Sequence, residues 1–419
     1  MHIMGETVQD LVIGGGVIGI NCAHALADAG RSVVLIEKGK VCSGCSHGNA
    51  GWIAPCHSLP IPGPGLVAQT LKWMLRGDSP LHIKPTLHPT TLAWLWRFFR
   101  KCNRTAALQG LESLATINRE VVSATRDIVD RYELDCQFRH RGNLYVFRKE
   151  KYFRQALSEL ALMETQGITG TPLNRDQVLE REPTLTPNLC GGIFYDVDAD
   201  FVPDRFVKAL SERLPAMGVR VMTDVAVRGM TQSSNGNVSI VDTTRGSFKA
   251  EHVVLAAGAW STAMARSLGV HIPMQAGKGY SLTYKAQPGL PTRPIYLCDV
   301  KIGFTPWNES FRLAGTMEIA GMQPTINRHR IDAIKRGATQ FMPGYRDEGT
   351  IETWAGMRPL CSDALPIIGT SCAAPNVVFA TGHAMLGMTQ GVMTGRLVAE
   401  LLTGQPPSIP LEPFSPDRF

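Results

Sequence analysis

Asp10-Leu-Val-Ile-Gly-Gly-Gly-Val-Ile-Gly19, answered by Val33-Val-Leu-Ile-Glu37, is the stretch on which the fold turns. The apolar run Leu11 to Ile13 reads as a buried strand, Gly14, Gly16 and Gly19 as a tight turn, and residues 17–28 as an alanine-rich helix. Without Cβ atoms the backbone can approach a pyrophosphate closely, and a helix N-terminus offers free N–H groups and the positive end of its dipole. Glu37 closes a second strand eighteen residues past Gly19, where a carboxylate accepts hydrogen bonds from both ribose hydroxyls. A lone G-x-G-x-x-G is weak in a chain with 41 glycines. Here a strand precedes it, a helix follows it, and its acid stands at the right distance, so it reads as a dinucleotide-binding element.

The 419 residues are enough for two domains with substantial cores, and 44% hydrophobic with 19% charged residues describes a globular chain. The formal charge of +6, from 42 Lys and Arg against 36 Asp and Glu, is mild. No basic run or RNA-type aromatic motif goes with it, so no nucleic-acid partner is expected. Nine residues before the first strand leave no room for a secretory signal, and there is no uninterrupted apolar stretch of membrane-spanning length; a cytoplasmic location is the expectation. The ten cysteines are scattered and read as reduced thiols. Cys42-Ser-Gly-Cys45 is a single C-x-x-C without the second pair that a metal or cluster site requires, so no metal is expected. A redox dithiol stands there beside the plainer reading of small residues in a loop facing a cofactor.

Residues 38–55 are rich in Gly, Ser, Asn and Cys and read as a loop whose backbone lies against something bound. In it His47 is either a base or cofactor neighbour, or a satisfied loop histidine. Pro55, Pro60, Pro62 and Pro64 exclude regular helix nearby. Residues 66–76 are amphipathic and carry Trp73, and residues 90–104 combine Trp94, Trp96, Phe98 and Phe99 with Arg97, Arg100, Lys101 and Arg104. Two readings stand for that mixture: an interfacial helix meeting lipid headgroups, or a helix docked on its own core with a basic outer face.

A 3.6-residue period continues helix over 105–135, alternation predicts strands within 137–147, and helix follows over 151–166. Strands are expected at 191–195 and 219–227, with a helix at 204–217 between them. The apolar strand ending in Ala256-Ala-Gly258 permits a second close backbone approach. Lys278-Gly-Tyr-Ser281 opens a strand-rich region running to about residue 318, followed by helix over 324–340. Finally, the strand from Asn376 ends at Gly382, and Gly387, Gly391 and Gly395 space the start of a helix over 389–403. Three strand-then-glycine elements, early, middle and late, imply a nucleotide domain assembled from distant segments, with the intervening chain forming a second domain.

The set Gly14-x-Gly16-x-x-Gly19, Asn49-Ala-Gly51, Lys278-Gly-Tyr-Ser281, Gly356-Met-Arg-Pro-Leu360 with Asp363, Pro366 and Gly369, and Ala380-Thr-Gly-His383 resembles the D-amino acid oxidase superfamily. Within it the chain looks most like the bacterial D-amino acid dehydrogenases, in the right order over about residues 8–403. The resemblance implies an α/β fold: a Rossmann-like FAD-binding domain (1–85, 190–265 and 350–419) and an α+β substrate domain on a mostly antiparallel sheet (86–189 and 266–349). It implies FAD held by Gly14, Gly16, Val17, Ile18, Gly19, Glu37, Lys38, Ser46, Asn49, Ala50, Gly51, Val225, Ala257, Gly258, Gly382, Leu386, Gly387, Met388 and Thr389. The sarcosine-oxidase branch ties its flavin to a cysteine; Cys361 lies near that region but off the matching position, so non-covalent FAD is expected.

By the same resemblance a D-amino acid is converted to its imino acid, hydrolysed to a 2-oxo acid and ammonia, with electrons passed to a quinone or other respiratory acceptor. Some relatives prefer D-proline or 4-hydroxy-D-proline. Residues 66–104 would then make a peripheral contact on the cytoplasmic face of the inner membrane. A glycine- or sarcosine-type oxidase using oxygen, and an FAD-carrying subunit of an electron-transfer complex, are the alternatives.

Amine oxidation at an α-carbon needs a cation that fixes the carboxylate, and the planar fork of arginine binds it bidentately. Arg358 is a lone cation among Ala355, Gly356, Met357 and Pro359 and matches the family's arginine, so it is the expected carboxylate ligand, against an internal salt bridge. A helix N-terminus at Gly387–Gln390 would favour negative charge on a reduced flavin. No residue stands out as a general base. Tyr280 is a candidate to hydrogen-bond the substrate, and His47 and His383 to shape the pocket.

Overall fold

Leu11 and Val12 have no solvent exposure because their strand, Glu6–Ile13, lies inside a sheet with a parallel neighbour on each side. The computed structural model describes residues 6–66, 81–84, 87–323 and 325–419. Across this first sheet the strands run Val227–Gln232, Val238–Thr243, Gly246–Leu255, Glu6–Ile13, Val33–Ile36 and Arg220–Met222. The far half of Gly246–Leu255 also pairs in parallel with Ala374–Thr381, and that strand pairs antiparallel with Ile367–Ser371. Strands covered on both faces read as near-continuous Val, Ile and Leu runs, which is how residues 11–13, 33–36 and 253–255 are written. The early, middle and late segments thus share one sheet, as their strand-then-glycine pattern implies.

Two helices lie together along this sheet. Val17–Asp28 follows the first strand, Gly387–Thr403 follows Ala374–Thr381, and both begin at the carboxyl edge of their strands. They approach closely because Gly391 and Gly395 face Val17 and Asn21; a Cβ at Gly395 would sit 2.4 Å from the Asn21 carbonyl oxygen. Helices Arg104–Asn118 and Val121–Arg131 bury Leu114, Ile117, Val121 and Val129 in the same core as Ile20 and Leu397. They pack on the nucleotide side, whereas the sequence reading put residues 86–189 in the substrate unit, and they are two helices where one was expected over 105–135.

The second sheet has nine strands among the described residues. In order they are Thr350–Cys361, Met274–Lys285, Ser310–Ile319, Ile302–Pro306, Ile295–Leu297, Asn143–Phe147, Gly191–Tyr195 and Thr171–Asn174, with Leu81–Ile83 beside Ser310–Ile319. Pairing is antiparallel except at Ile295–Leu297 with Asn143–Phe147 and at Leu81–Ile83 with Ser310–Ile319. Leu81–Ile83, Gly191–Tyr195 and Thr350–Cys361 belong here, a correction to the expected boundaries at 85, 190 and 350. A short apolar strand reads alike in either sheet, and its hydrogen-bonded partners decide its place.

Two smaller differences are local. The strand expected over 219–227 stops at Met222 and the chain turns through Asp224, whose φ is +56°. The strand expected from residue 137 begins only at Asn143. Of the amphipathic segment 66–76, everything after Leu66, including Trp73, lies outside the described residues. Helix Pro89–Arg100 buries Trp94 and Phe98, stacked 5.0 Å apart, and leaves Leu92, Trp96 and Phe99 exposed. No helix among the described residues is long and apolar enough to cross a membrane.

Candidate active site

The carboxyl edge of the first sheet opens into a cavity of about 1070 Å³ whose other wall is the second sheet. That is at the upper end for ligand pockets. Gly14, Gly16, Val17, Ile18, Glu37, Lys38, Ser46, Asn49, Ala50, Val225, Ala257, Gly258, Leu386, Gly387, Met388 and Thr389 line it, and so does Arg358.

Its nucleotide end is built from backbone. Helix Val17–Asp28 has Gly16 at its N-cap with no capping side chain of its own; Ser46 Oγ accepts from Val17 N–H at 3.0 Å. Glu37 accepts from Gly15 N–H at 2.7 Å and Gly39 N–H at 2.9 Å, which holds its carboxylate at the cavity rim. Lys38 Nζ lies 3.1 Å over the Trp260 ring. The start of helix Gly387–Thr403 also faces the cavity, and beside it His383 Nδ1 is buried with no partner among the described residues. Two helix starts at the cavity, glycines against it, a rim carboxylate and an orphaned ring nitrogen together fit a dinucleotide with a flavin-sized head.

Three expected cofactor ligands stand behind the lining instead of in it. A Cβ on Gly19 would lie 1.8 Å from the Gly14 carbonyl oxygen, one on Gly51 2.1 Å from that of Phe201, and one on Gly382 2.6 Å from Cys361 Sγ. They are glycines because backbone or sulfur presses on them, and they do not line the cavity. Arg312, which sequence reasoning passed over, supports the loop in front of them. Its Nη1 donates to the carbonyl oxygens of His47 and Asn49, both at 2.8 Å.

Arg358 sits on strand Thr350–Cys361 with its guanidinium laid across Gly279, where a Cβ would come within 2.1 Å of Cζ. Nη1 donates to Thr316 O at 3.0 Å. No carboxylate among the described residues pairs with it, so burial pulls its pKa down and only Cys45 and Tyr296 work the other way. A desolvated fork facing an open cavity is an anion site.

The two polar candidates fall outside. Strand alternation turns Tyr280 away from Gly279, and its hydroxyl donates to Glu318 at 2.5 Å beside Lys278. Tyr280 is 1% exposed and does not line the cavity. His47 likewise does not line it; its Nε2 pairs with Glu352 at 2.9 Å. The Lys278-Gly-Tyr-Ser281 stretch therefore serves the site through its glycine.

An aromatic wall takes their place. Trp52 stacks on His57 at 5.9 Å and 10°, with Tyr296 edge-on to both. Trp52 Nε1 donates to Thr305 Oγ1 at 2.7 Å, and Tyr145 Oη lies 2.8 Å from His57 Nε2. Lys301, at φ +56°, adds a second cation, 5.6 Å over Tyr296. Trp52, His57, Tyr145, Tyr296 and Lys301 line the cavity. The sequence signal for them was slight, since they come together only when two strands and the segment after Ile53 meet. Among the described residues no cluster of His, Cys, Asp or Glu is arranged to hold a metal, and all ten cysteines are free, Cys42 being buried.

A family model described as FAD dependent oxidoreductase matches residues 11–401. A D-amino acid dehydrogenase of Vibrio cholerae is 32% identical over 409 residues, 94% of this chain and 95% of that one. A D-amino acid dehydrogenase of Bradyrhizobium diazoefficiens is 29% identical over 417 residues, 98% of each. Among solved structures, glycine oxidase from Geobacillus kaustophilus superposes with a TM-score of 0.78 over 99% of both chains at 20% identity, a likeness of fold.

Proposed function

The chain belongs to the FAD-dependent oxidoreductase family, with FAD as its cofactor, and from that premise we propose that it oxidises D-amino acids and passes the electrons to a membrane quinone. The observation that carries the reading is Arg358, a half-buried guanidinium without a carboxylate partner among the described residues, on the wall of the cavity whose glycine-lined end suits the cofactor. Bound FAD supplies the acceptor for the hydride that leaves Cα.

The chain's own residues do the rest. Arg358, steadied by Thr316 O, grips the substrate carboxylate and sets the direction in which Cα–H points. Trp52, Tyr145 and Tyr296 enclose the side chain and keep water out. Their flat faces suit a cyclic substrate such as D-proline or 4-hydroxy-D-proline. The start of helix Gly387–Thr403 favours negative charge where it faces the cavity. The imino acid product leaves and is hydrolysed to a 2-oxo acid and ammonia, or remains as a cyclic imine. The D configuration is supported by the sequence relatives, both named D-amino acid dehydrogenase.

Quinone as acceptor goes with helix Pro89–Arg100. Leu92, Trp96 and Phe99 are exposed on it beside Arg97 and Arg100, a mixture suited to an anionic bilayer surface on the cytoplasmic side. The test is anaerobic bleaching of the flavin against paired D- and L-amino acids, with the two proline compounds included. Bleaching by D-enantiomers, followed by reoxidation with a soluble quinone and slow peroxide formation in air, is the expected result. Rapid peroxide production with glycine or sarcosine would overturn it in favour of an oxidase.

A further inference from the structure

Behind the aromatic wall, four side chains that the carboxylate grip leaves unused form an unbroken line of hydrogen bonds from the cavity into the interior. His57 Nε2 lies 2.8 Å from Tyr145 Oη, Tyr145 Oη lies 3.1 Å from Cys56 Sγ, and Cys56 Sγ donates to Asp198 Oδ2 at 2.8 Å. The Cys56 amide fixes the far end by donating to Asp198 Oδ1 at 3.2 Å. His57, Tyr145 and Cys56 line the cavity, whereas Asp198 is 1% exposed and makes no ion pair among the described residues. Tyr296 stands beside this line, its ring 5.9 Å from that of His57, and lines the same cavity as Arg358.

We propose that His57, Tyr145, Cys56 and Asp198 form a proton relay that takes one proton from the substrate's ammonium group, with Asp198 the final acceptor. The relay rests on the reading that the substrate is an amino acid held through its carboxylate by Arg358. An ammonium nitrogen has no free electron pair to share with Cα, so one N–H bond breaks before Cα gives up hydride. The transfer balances atom by atom. The nitrogen keeps the electron pair of the broken N–H bond, and the proton is taken by His57 Nδ1. The Nε2–H proton passes to Tyr145 Oη, the former Oη–H proton to Cys56 Sγ, and the former S–H proton to Asp198 Oδ2. The net change is ammonium to amine and carboxylate to carboxylic acid, with no oxidant or reductant involved. After the product leaves, the same line run backwards returns the proton to the cavity.

The chemistry of each station suits this role. Burial lowers His57 to about 4, so a proton does not rest there, and burial raises Tyr145 and Cys56 so that neither ionises. Burial also lifts Asp198 to about 7, despite the hydrogen bonds from Cys56, which places the last acceptor near the operating range of a general base. The titratable groups facing Asp198 are Cys56 from segment Pro55–His57, Tyr145 from strand Asn143–Phe147, Tyr195 from strand Gly191–Tyr195, and Asp196 along its own chain. Lys301 faces His57 from the other side of the wall.

The experiment uses the FAD-loaded enzyme at pH 8 with 2-aminoisobutyrate, which carries the amine and carboxylate but no α-hydrogen. Infrared difference spectra on binding should show a new carboxylic-acid C=O band in the wild type. The band should vanish in Asp198→Asn, and also in Tyr145→Phe, which leaves Asp198 in place but breaks the line. It should return in Cys56→Ser, whose hydroxyl still accepts and donates. Anaerobic flavin bleaching by D-amino acids should slow by about 10²-fold or more in the two broken variants, as loss of a positioned base does. No band in the wild type, or a band that survives in Tyr145→Phe, overturns the relay. Wild-type bleaching by D-amino acids without the band removes the relay and keeps the substrate reading; no bleaching by any amino acid removes both.

Discussion

Replacing Arg358 by alanine separates its two possible roles, because the structure gives them opposite signatures. As a carboxylate ligand, Arg358 supplies a charged hydrogen-bond partner inside a site closed by aromatic rings, and losing such a partner costs about 2–5 kcal/mol when the other charge stays buried. At about 1.4 kcal/mol per decade, kcat/KM for D-amino acids should fall by roughly 30-fold to several thousandfold. Arg358→Lys should recover only part of this, since an ammonium is a point charge without the fork. As a structural residue it makes one hydrogen bond, to Thr316 O, and no ion pair among the described residues, while its burial disfavours its own charge. Its removal should therefore shift Tm by no more than about 2 °C and leave FAD content at wild-type level. The assay is steady-state dye-linked oxidation, with a melting curve and a flavin-to-protein absorbance ratio on the same samples. Near-normal kcat/KM would place the carboxylate elsewhere, and loss of flavin or early melting would make Arg358 a structural residue.

Gly279→Ala should imitate a weakened Arg358: the new Cβ displaces the end of a flexible side chain, so KM should rise several-fold while Tm barely moves, and an unchanged KM would refute the contact. Glu37→Gln should weaken FAD binding about 10- to 100-fold in titrations of the apoprotein, because a charged acceptor is lost from the rim where Gly15 and Gly39 hold it. Replacing Trp96 and Phe99 by Ser should reduce co-sedimentation with anionic liposomes and leave dye-linked activity intact, since both side chains are exposed; wild-type protein that never sediments would refute the membrane contact. Acid should destabilise the fold through its histidines. Burial lowers His383 to about 3 against about 6.5 in the unfolded chain, so the unfolded state binds more protons in between. Stability is full above about 6.5 and lost as pH falls toward 3, and Tm measured over that window should drop less in His383→Gln.

What could be read from the chain depended on how far each signal reached along it. The nucleotide end is written in contiguous residues: glycines stand where backbone or ligand comes close, and Glu37 lies one strand away. Even there, Gly19, Gly51 and Gly382 stand behind the cavity lining, and their missing side chains make room for protein atoms. In Lys278-Gly-Tyr-Ser281 the chemically eloquent residue was the wrong one. A strand alternates faces, so Tyr280 shares the side of Lys278 and Glu318, while Gly279 shares that of Arg358, and only the register Gly279 to Gly356 reveals it. The aromatic wall and the line to Asp198 were the least legible. Cys56 meets Tyr145 across 89 positions and Asp198 across 142, and no local period can encode such a meeting. Those contacts exist because Gly191–Tyr195 and Asn143–Phe147 are neighbours in the second sheet and segment Pro55–His57 is laid against them. The substrate end of a two-sheet enzyme is therefore decided by strand pairing, and a chemistry that needs His57 beside Tyr145 constrains the pairing of strands more than the spelling of any one of them.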